Sequence, residues 1–242
     1  MIYNTLCPYC GVLMLKVENL PNARSVEHMV PNTVLRHARN NGEGDFYACR
    51  RCNGRKSHMD HVLAIIARSQ SKDPEFAAQA LIDVVTADDR RSGRFIEMLQ
   101  TAEHADDGDV HLTMPLSGTE LLEYMTFLGK GQYFKKFGTV FQSSTHVMLF
   151  DFFNKQVMQT IEFSYEAWHE SNPFRDLEQN AYSEVLSDGD CIIYTKNNKF
   201  MFVFHEYTCL AVRVLRRNRK NEAREQLKRA EILEDFERRR NS

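Results

Sequence analysis

The chain has 242 residues, of which 43% are hydrophobic and 26% are charged. This composition is that of an ordinary soluble globular protein with one or two domains. No window approaches the roughly 18 apolar residues of a membrane span, and the first residues lack the basic and apolar regions of a secretory signal. We therefore expect a cytoplasmic protein with no membrane partner, in a reducing compartment where its six cysteines stay free.

The net charge of −2 conceals an uneven distribution along the chain. Residues 1–72 hold 10 lysines and arginines against 5 acidic residues, and residues 211–242 hold 11 against 6. Residues 73–210 hold only 10 basic residues against 22 acidic ones. The basic head and tail are candidates for contact with phosphates, although a solvated helix surface explains the tail equally well.

Two strands and a helix are predicted in the first third of the chain. Residues 23–31 alternate between apolar and polar side chains, which predicts a strand, and residues 45–48 are its expected antiparallel partner. Residues 53–69 carry apolar side chains at helical spacing.

Helices are predicted next, beginning at Asp73-Pro74, where an acidic N-cap precedes a proline at the first helical position. Further along, the sequence predicts a helix over 89–104, a loop over 105–109, a strand over 110–116 and a helix from Ser117 through about Phe127.

Strands are predicted again in the last third of the chain, followed by a charged helix over about the last 25 residues. The strands are expected at 147–153, 157–165, 190–195, 199–206 and 209–215, with Asn197-Asn198 as a hairpin turn. The predicted fold class is α+β. It divides into an N-terminal module (1–72), a helical connector (73–108), an α+β domain (109–215) and a charged C-terminal helix (216–242).

Two Cys-x-x-Cys pairs stand out in the first module. Cys7 and Cys10 are separated from Cys49 and Cys52 by 38 residues. Four thiolates at this spacing can close one tetrahedral zinc site. Such a site leaves no open position for a substrate, so the zinc is expected to be structural.

The residues that these pairs bracket form a longer motif. Glu27-His28-Met29-Val30-Pro31 lies between the pairs, and the second pair leads into Asn53-Gly54-Arg55-Lys56. The pattern C-x-x-C, acid-His-apolar-apolar-Pro, C-x-x-C-N-x-x-K resembles the HNH endonucleases of the ββα-metal fold, over about residues 5–70. The resemblance implies a metal-dependent endonuclease that hydrolyses phosphodiester bonds in DNA.

The resemblance also assigns roles to single residues. It implies that His28 activates water and that Glu27 and Asn53 hold one divalent ion, for which oxygen ligands favour Mg²⁺ or Mn²⁺. The basic side chains around the second cysteine pair are expected to bind phosphates of the nucleic acid. These side chains are Arg50, Arg51, Arg55 and Lys56.

One position departs from the family pattern. The central asparagine, which usually supports the histidine-bearing loop, would fall near Gly44, where there is no amide side chain. Three other histidines, His37, His58 and His61, match no good metal-ligand spacing and are interpreted as surface residues.

Alternative functions stay open on the sequence alone. The missing asparagine favours a catalytically inactive zinc-containing module that only binds nucleic acid. A nuclease that cleaves RNA is the third possibility, since the nuclease motif does not distinguish RNA from DNA. The acidity of residues 109–215 makes a broad DNA-binding face unexpected there and favours a protein partner or an autoinhibitory role.

Overall fold

The computed structural model describes residues 1–86, 93–100, 103–104, 110–111, 115–154, 166, 172, 174 and 177–241. The predicted loop over 105–109 and the predicted strand over 157–165 lie outside these residues. The described chain has mixed α+β structure with antiparallel sheets, which confirms the predicted fold class at this level. None of its helices is long and apolar enough to cross a membrane.

A β-hairpin and a helix form the first part of the fold. Strand β1, Arg24–Glu27, pairs antiparallel with strand β2, Phe46–Cys49. Helix α1, Arg50–Ser69, begins directly after β2. The predicted order of two strands and a helix is confirmed. Strand β1 is shorter than predicted because the chain leaves the ladder after Glu27 and turns into a short 3-10 segment at Asn32–Val34.

The next elements are helix α2, Pro74–Thr86, and helix α3, Gly93–Gln100. Asp73 caps α2 as predicted, because its Oδ1 accepts the backbone N–H groups of Glu75 and Phe76 at 3.0 and 3.2 Å. Beyond α3, the prediction that the helix continues to residue 104 is wrong. The short strands β3, Glu103–His104, and β4, Val110–His111, pair antiparallel instead.

Helix α4, Gly118–Phe137, begins at a capping box in which Ser117 and Glu120 each bind the other's backbone N–H. It runs past its predicted end at Phe127 and stops at Gly138, whose φ of 68° is left-handed. The helix lies between the hairpin and the large sheet, so apolar residues surround it on more than one side.

Two glycines show how closely α4 approaches its neighbours. A Cβ atom on Gly129 would lie 2.8 Å from Val212 Cγ1 in the sheet. A Cβ atom on Gly131 would lie 2.8 Å from Met29 Sδ beside the hairpin. These glycines look like helix breakers in the sequence, but here they permit close packing on two sides of one helix.

The large sheet has five antiparallel strands in the order β5-β9-β8-β7-β6, and the short helix α5, Leu177–Asn180, precedes β6. Four of these strands match predicted ones, whereas β6 was not predicted. The predicted turn at Asn197-Asn198 is confirmed between β7 and β8. The strands are β5 His146–Asn154, β6 Tyr182–Leu186, β7 Cys191–Lys196, β8 Lys199–Phe204 and β9 Thr208–Arg216.

Helix α6, Arg219–Asn241, packs against α4 and β5. Ile232, Leu233 and Phe236 make its apolar contacts with the core. Leu227 is 42% exposed, whereas Arg224 in the same half of the helix is buried, and Lys228 lies 3.4 Å from Asp151 in β5.

One hydrophobic cluster joins the hairpin, α1, α4 and one face of the large sheet. It runs from Phe46 in the hairpin through Phe134 in α4 to Val212 in the sheet. The N-terminal region and the sheet therefore share a core across the predicted boundaries at residues 72 and 108. The opposite face of the sheet is covered by Phe174 and Leu177.

Candidate metal centre and active site

The four cysteines of the two Cys-x-x-Cys pairs come together as predicted. The Sγ atoms of Cys7, Cys10, Cys49 and Cys52 all lie within 4.8 Å of one another, and 3.8 Å separates those of Cys10 and Cys49. A tetrahedral zinc ion with Zn–S bonds of about 2.3 Å would hold its sulfur ligands about 3.8 Å apart. The four cysteines could therefore bind a metal such as zinc.

Hydrogen bonds to Cys7 favour its thiolate form. The thiol of Cys52 donates to Cys7, which lowers the pKa of Cys7 to about 5, and backbone N–H groups act in the same direction. One of these is the N–H of Cys49, which donates to Cys7 Sγ at 3.4 Å. Burial raises the pKa of Cys49 to about 11, and the hydrogen bond to Cys7 raises the pKa of Cys52, so Cys7 alone of these three is favoured as the thiolate before a metal binds. Thiolates are the form of cysteine that binds zinc.

His28 lies just after β1 with its ring half-buried. Its Nε2 atom is 3.2 Å from the backbone carbonyl oxygen of Asn40. Because a carbonyl oxygen only accepts hydrogen bonds, Nε2 must carry the proton, and Nδ1 of the neutral ring is then the unprotonated nitrogen. Burial lowers the pKa of His28 below its ordinary value of 6.5, although the hydrogen bond to Asn40 opposes this. The ring is therefore neutral at neutral pH.

Gly44, the position where the central asparagine would fall, lies against β1. A Cβ atom there would be 2.4 Å from Val26 Cγ1 and 3.0 Å from the carbonyl oxygen of Glu27. A side chain at this position would require Val26 to move and would crowd the backbone of β1 at Glu27.

Asp45 supplies the support that the asparagine would give to the loop after His28. Its Oδ2 atom accepts the backbone N–H of Met29 at 2.9 Å and a guanidinium N–H of Arg39 at 3.2 Å. Its Oδ1 atom accepts the ammonium of Lys135 from α4 at 2.8 Å. Burial raises the pKa of Asp45, but Lys135 and Arg39 outweigh it, and the net pKa is lowered. The carboxylate is therefore ionised and holds the loop.

Glu27 points into the interior and is 1% exposed. Its Oε1 atom accepts the hydroxyl of Tyr9 at 3.0 Å and lies 3.1 Å from Lys56 Nζ. Its Oε2 atom is buried and has no hydrogen-bond partner among the described residues. Burial raises the pKa of Glu27 and outweighs the opposing effect of the positive charge of Lys56, so the net pKa is raised.

Lys56 is buried with Glu27, which corrects the prediction that it contacts phosphates. Its Nζ atom lies 2.9 and 3.1 Å from the two carboxylate oxygens of Asp60, and it donates to the carbonyl oxygen of His28 at 3.1 Å. Burial opposes the charge of Lys56, but Asp60 and Glu27 outweigh it and raise the pKa. The ammonium neutralises two interior acids, and at 1% exposure it does not reach a nucleic acid.

Asn53 ties the start of α1 to β1. Its Nδ2 atom donates to Ser25 Oγ at 2.8 Å and to the carbonyl oxygen of Val26 at 3.0 Å. Both bonds use the amide nitrogen, so Oδ1 is the atom of this side chain that can accept a donor or bind a cation.

The other predicted phosphate contacts lie on the surface of α1. Arg50 and Arg51 are exposed at its first turn, and Arg50 donates to Asn19 Oδ1 at 2.9 Å. Arg55 is 68% exposed and forms an ion pair with Glu123 at 2.7 Å. Of the other histidines in this region, His37 and His58 are exposed and His61 is half-buried.

Two further residues support the segment after His28 from the large sheet. Asp190 Oδ2 accepts the backbone N–H of Arg36 at 2.6 Å, and His205 Nε2 donates to the carbonyl oxygen of Val34 at 2.9 Å. Asp190 and Arg36 are 154 residues apart in the sequence. No local pattern signals such a contact, and the sequence therefore did not predict it.

Comparison of the chain with protein-family models, with curated proteins and with solved structures finds no match in any of the three. Inferences about the function of the site therefore depend on its own geometry and chemistry.

Proposed function

We propose that the chain is a metal-dependent endonuclease of the HNH type, which hydrolyses phosphodiester bonds in DNA. The observation that carries this proposal is the hydrogen bond from His28 Nε2 to the carbonyl oxygen of Asn40. It leaves Nδ1 unprotonated on a ring whose pKa is lowered by burial. A positioned neutral imidazole is the group that takes a proton from water near neutral pH.

The loop around His28 is held rigidly enough for this task. Asp45 binds the backbone of Met29, and Lys56 binds the backbone carbonyl of His28 itself. Asp190 and His205 fix the following segment from the sheet. A general base must be held within hydrogen-bond reach of its water, and these contacts limit its movement.

Glu27 and Asn53 each offer one side-chain oxygen to a cation. Glu27 Oε2 is a buried carboxylate oxygen without a hydrogen-bond partner in the described chain. The two hydrogen bonds of the Asn53 side chain use Nδ2, so its Oδ1 atom is available. Two hard oxygen atoms with water completing the shell are what Mg²⁺ or Mn²⁺ takes in proteins. Such an ion, when bound, would neutralise the charge of the scissile phosphate and of the leaving oxygen.

Arg50 and Arg51 would contact neighbouring phosphates, since both are exposed at the first turn of α1 close to Asn53. The zinc bound by the four cysteines would be structural in this scheme, because all four of its positions are taken by protein.

The test is cleavage of supercoiled plasmid by the purified full chain with Mg²⁺ or Mn²⁺. His28→Ala should lower the rate by roughly 10²- to 10⁴-fold, the usual cost of losing a general base. Circular dichroism and zinc content should stay unchanged. His37→Ala is the matched control, since its side chain is exposed and lies outside the site. Wild-type cleavage by His28→Ala would rule out the assignment.

The pH dependence of cleavage offers a second readout. The base must be unprotonated to act, so activity is lost as the pH falls through the pKa of His28 in the folded protein. That pKa lies below 6.5. The rate should therefore be nearly constant from pH 7 to 8 and fall only at more acidic pH.

A second candidate is a catalytically inactive zinc-containing module that binds nucleic acid. The ion pair between Glu27 and Lys56 favours it, because the carboxylate already has a buried cation 3.1 Å away. This candidate predicts nucleic-acid binding without cleavage under any divalent ion. Substitution of RNA for the plasmid tests whether an active enzyme prefers RNA.

A further inference from the structure

The exposed apolar side chains of this protein are concentrated at its N-terminus. Nine of the sixteen large hydrophobic side chains exposed in the described residues lie among the first 20. Monomeric proteins rarely gather such side chains in one place unless the surface binds something. The nine are Met1, Ile2, Tyr3, Leu6, Val12, Leu13, Leu15, Val17 and Leu20.

Several of these side chains belong to segments that extend the hairpin at both edges. On the β2 side, the backbone N–H of Ile2 donates to the carbonyl oxygen of Asp45 at 2.8 Å. On the β1 side, the N–H of Arg24 donates to the carbonyl oxygen of Leu15 at 2.8 Å. The segment around Ile2 and the segment around Leu15 therefore widen the hairpin into a small sheet.

This small sheet has an inner face and an outer face. Ser25 and Glu27 face α1, because they contact Asn53 and Lys56 respectively. Side chains alternate along a strand, so Arg24 and Val26, with their pairing partners Cys49 and Tyr47, belong to the opposite side. We call the surface formed by Tyr3, Arg24, Val26 and Tyr47 the outer face.

The aromatic rings of the outer face lie side by side and are tilted by 53° relative to one another. The guanidinium carbon of Arg24 lies 4.1 Å from the centre of the Tyr47 ring. The ring of Tyr3 follows at 5.8 Å from that of Tyr47 and is 79% exposed. An exposed ring beside a guanidinium-covered ring offers flat surfaces on which nucleic-acid bases stack.

We propose that the outer face binds a single-stranded segment of nucleic acid, with its bases stacked on Tyr3 and on the Tyr47–Arg24 pair. Charge supports this occupant, since residues 1–72 carry twice as many basic as acidic residues. Lys16 is exposed on the segment that borders β1, and Arg50 follows directly after the pairing partner of Arg24. Both are positioned to neutralise phosphates of a strand that crosses the face.

The outer face is also continuous with the proposed active site. The proposal rests on the proposed nuclease function only through this continuity. Arg24 begins the strand that ends one residue before His28. With a rise of about 3.3 Å per residue, the two positions are roughly 13 Å apart. A strand bound at the outer face can therefore extend to the imidazole, which makes single-stranded or locally unpaired nucleic acid the expected substrate class.

The experiment measures binding of a fluorescein-labelled single-stranded oligothymidine to the full chain carrying His28→Ala, so that no cleavage intervenes. Tyr3→Leu, which keeps an apolar side chain but removes the ring, should weaken binding roughly 5- to 100-fold, the usual effect of losing one stacked base. Tyr3→Phe should bind nearly as tightly as the parent. Tyr182→Leu is the matched control, because Tyr182 is 72% exposed on the edge strand of the large sheet.

Equal affinity of Tyr3→Leu and Tyr182→Leu would overturn the proposal. Tighter binding of a duplex of the same length, with an affinity that Tyr3→Leu does not change, would also overturn the proposal. If light scattering shows that the chain is a dimer and that Tyr3→Leu separates it without changing oligonucleotide affinity, the outer face is a contact between two copies instead. Absence of plasmid cleavage by the wild-type chain would reject the nuclease and leave the binding result intact.

Discussion

The hairpin with its four cysteines and the five-stranded sheet hold their shapes by different means. The hairpin has two strands of four residues each, and its interior contains the charged groups of Glu27 and Lys56. In the sheet, Phe200, Phe202 and Phe204 of β8 are all fully buried. Directional contacts of charged groups and the cysteine cluster therefore add to the shared apolar core in the region that carries the candidate chemistry, whereas apolar packing dominates the sheet that supports it.

This difference follows from size. A region of about 70 residues buries too little apolar surface to be firmly stable alone, and small domains commonly add a metal or a similar cross-link. The large sheet is covered on one side by α4 and α6 and needs no such link. The two regions should accordingly fail in different ways when single residues are changed.

The largest expected effect is that of Cys49→Ser, which removes one of the four sulfur ligands. Structural zinc contributes roughly 10–16 kcal/mol of apparent binding free energy in small zinc peptides, and much of this would be lost here. We expect loss of zinc by elemental analysis and unfolding of the hairpin, seen as rapid hydrogen exchange over residues 23–57. Cys191→Ser, in β7, is the control and should keep its zinc.

Zinc-free protein with a protected hairpin would contradict this distinction, because the hairpin would then be stable through its packing alone.

Lys56→Met should have the next largest effect. It leaves Glu27 and Asp60 buried without their shared cation, and breaking such a pair typically costs about 3–5 kcal/mol. Arg55→Met is the matched control, because its ion pair with Glu123 is largely exposed. An exposed pair of this kind contributes roughly 1 kcal/mol or less. The free energies of unfolding of both variants can be measured with urea.

If Lys56→Met and Arg55→Met lower the free energy of unfolding equally, the buried charges of the hairpin do not stabilise it more than surface charges do.

The smallest expected effect is a difference in stability between substitutions on the two sides of α4. Gly129→Ala places a methyl group 2.8 Å from the stiff side chain of Val212, so overpacking of about 1–3 kcal/mol should exceed the gain in helix propensity of up to about 1 kcal/mol. Gly131→Ala places a methyl group 2.8 Å from Met29 Sδ and 3.2 Å from Phe46 Cζ, and the flexible Met29 side chain at the shorter contact can shift. Gly129→Ala should therefore be the more destabilising change in urea.

A greater loss for Gly131→Ala would show that the hairpin side of α4 is packed as tightly as the sheet side. Gly54→Ala, on the open surface of α1, should be neutral or stabilising in the same assay.

Much of the fold could be predicted from the sequence because it depends on local patterns. The caps at Asp73 and Ser117, the hairpin and the turn at Asn197-Asn198 all follow from neighbouring residues. Strand β6 was missed because it is an edge strand in which Tyr182 and Val185 are exposed, so that no apolar face marks it. Helix α4 was cut short because the reason for its two glycines lies in distant residues.

The candidate site was predicted in part for the same reason. The four cysteines follow a local spacing rule and do come together. The burial of Lys56 depends instead on Glu27, which binds the hydroxyl of Tyr9, and on Asp60, which binds the hydroxyl of Tyr124 in α4. The support of the loop by Asp45 could be found only by recognising that a carboxylate can replace an amide as acceptor. Its partner Lys135 lies 90 residues away.

The position of α4 in the chain also affects how the protein is made. All four cysteines are present once residue 52 has left the ribosome. Helix α4, which packs against Phe46 and Met29, follows only with residues 118–137. The four cysteines could thus bind a metal such as zinc while one apolar side of the nascent hairpin is still open to water. For the same reason, a fragment that ends at residue 72 would contain every proposed catalytic residue and still lack the helix that closes their interior. Transplanting the site to another protein would require α4 to be moved with it.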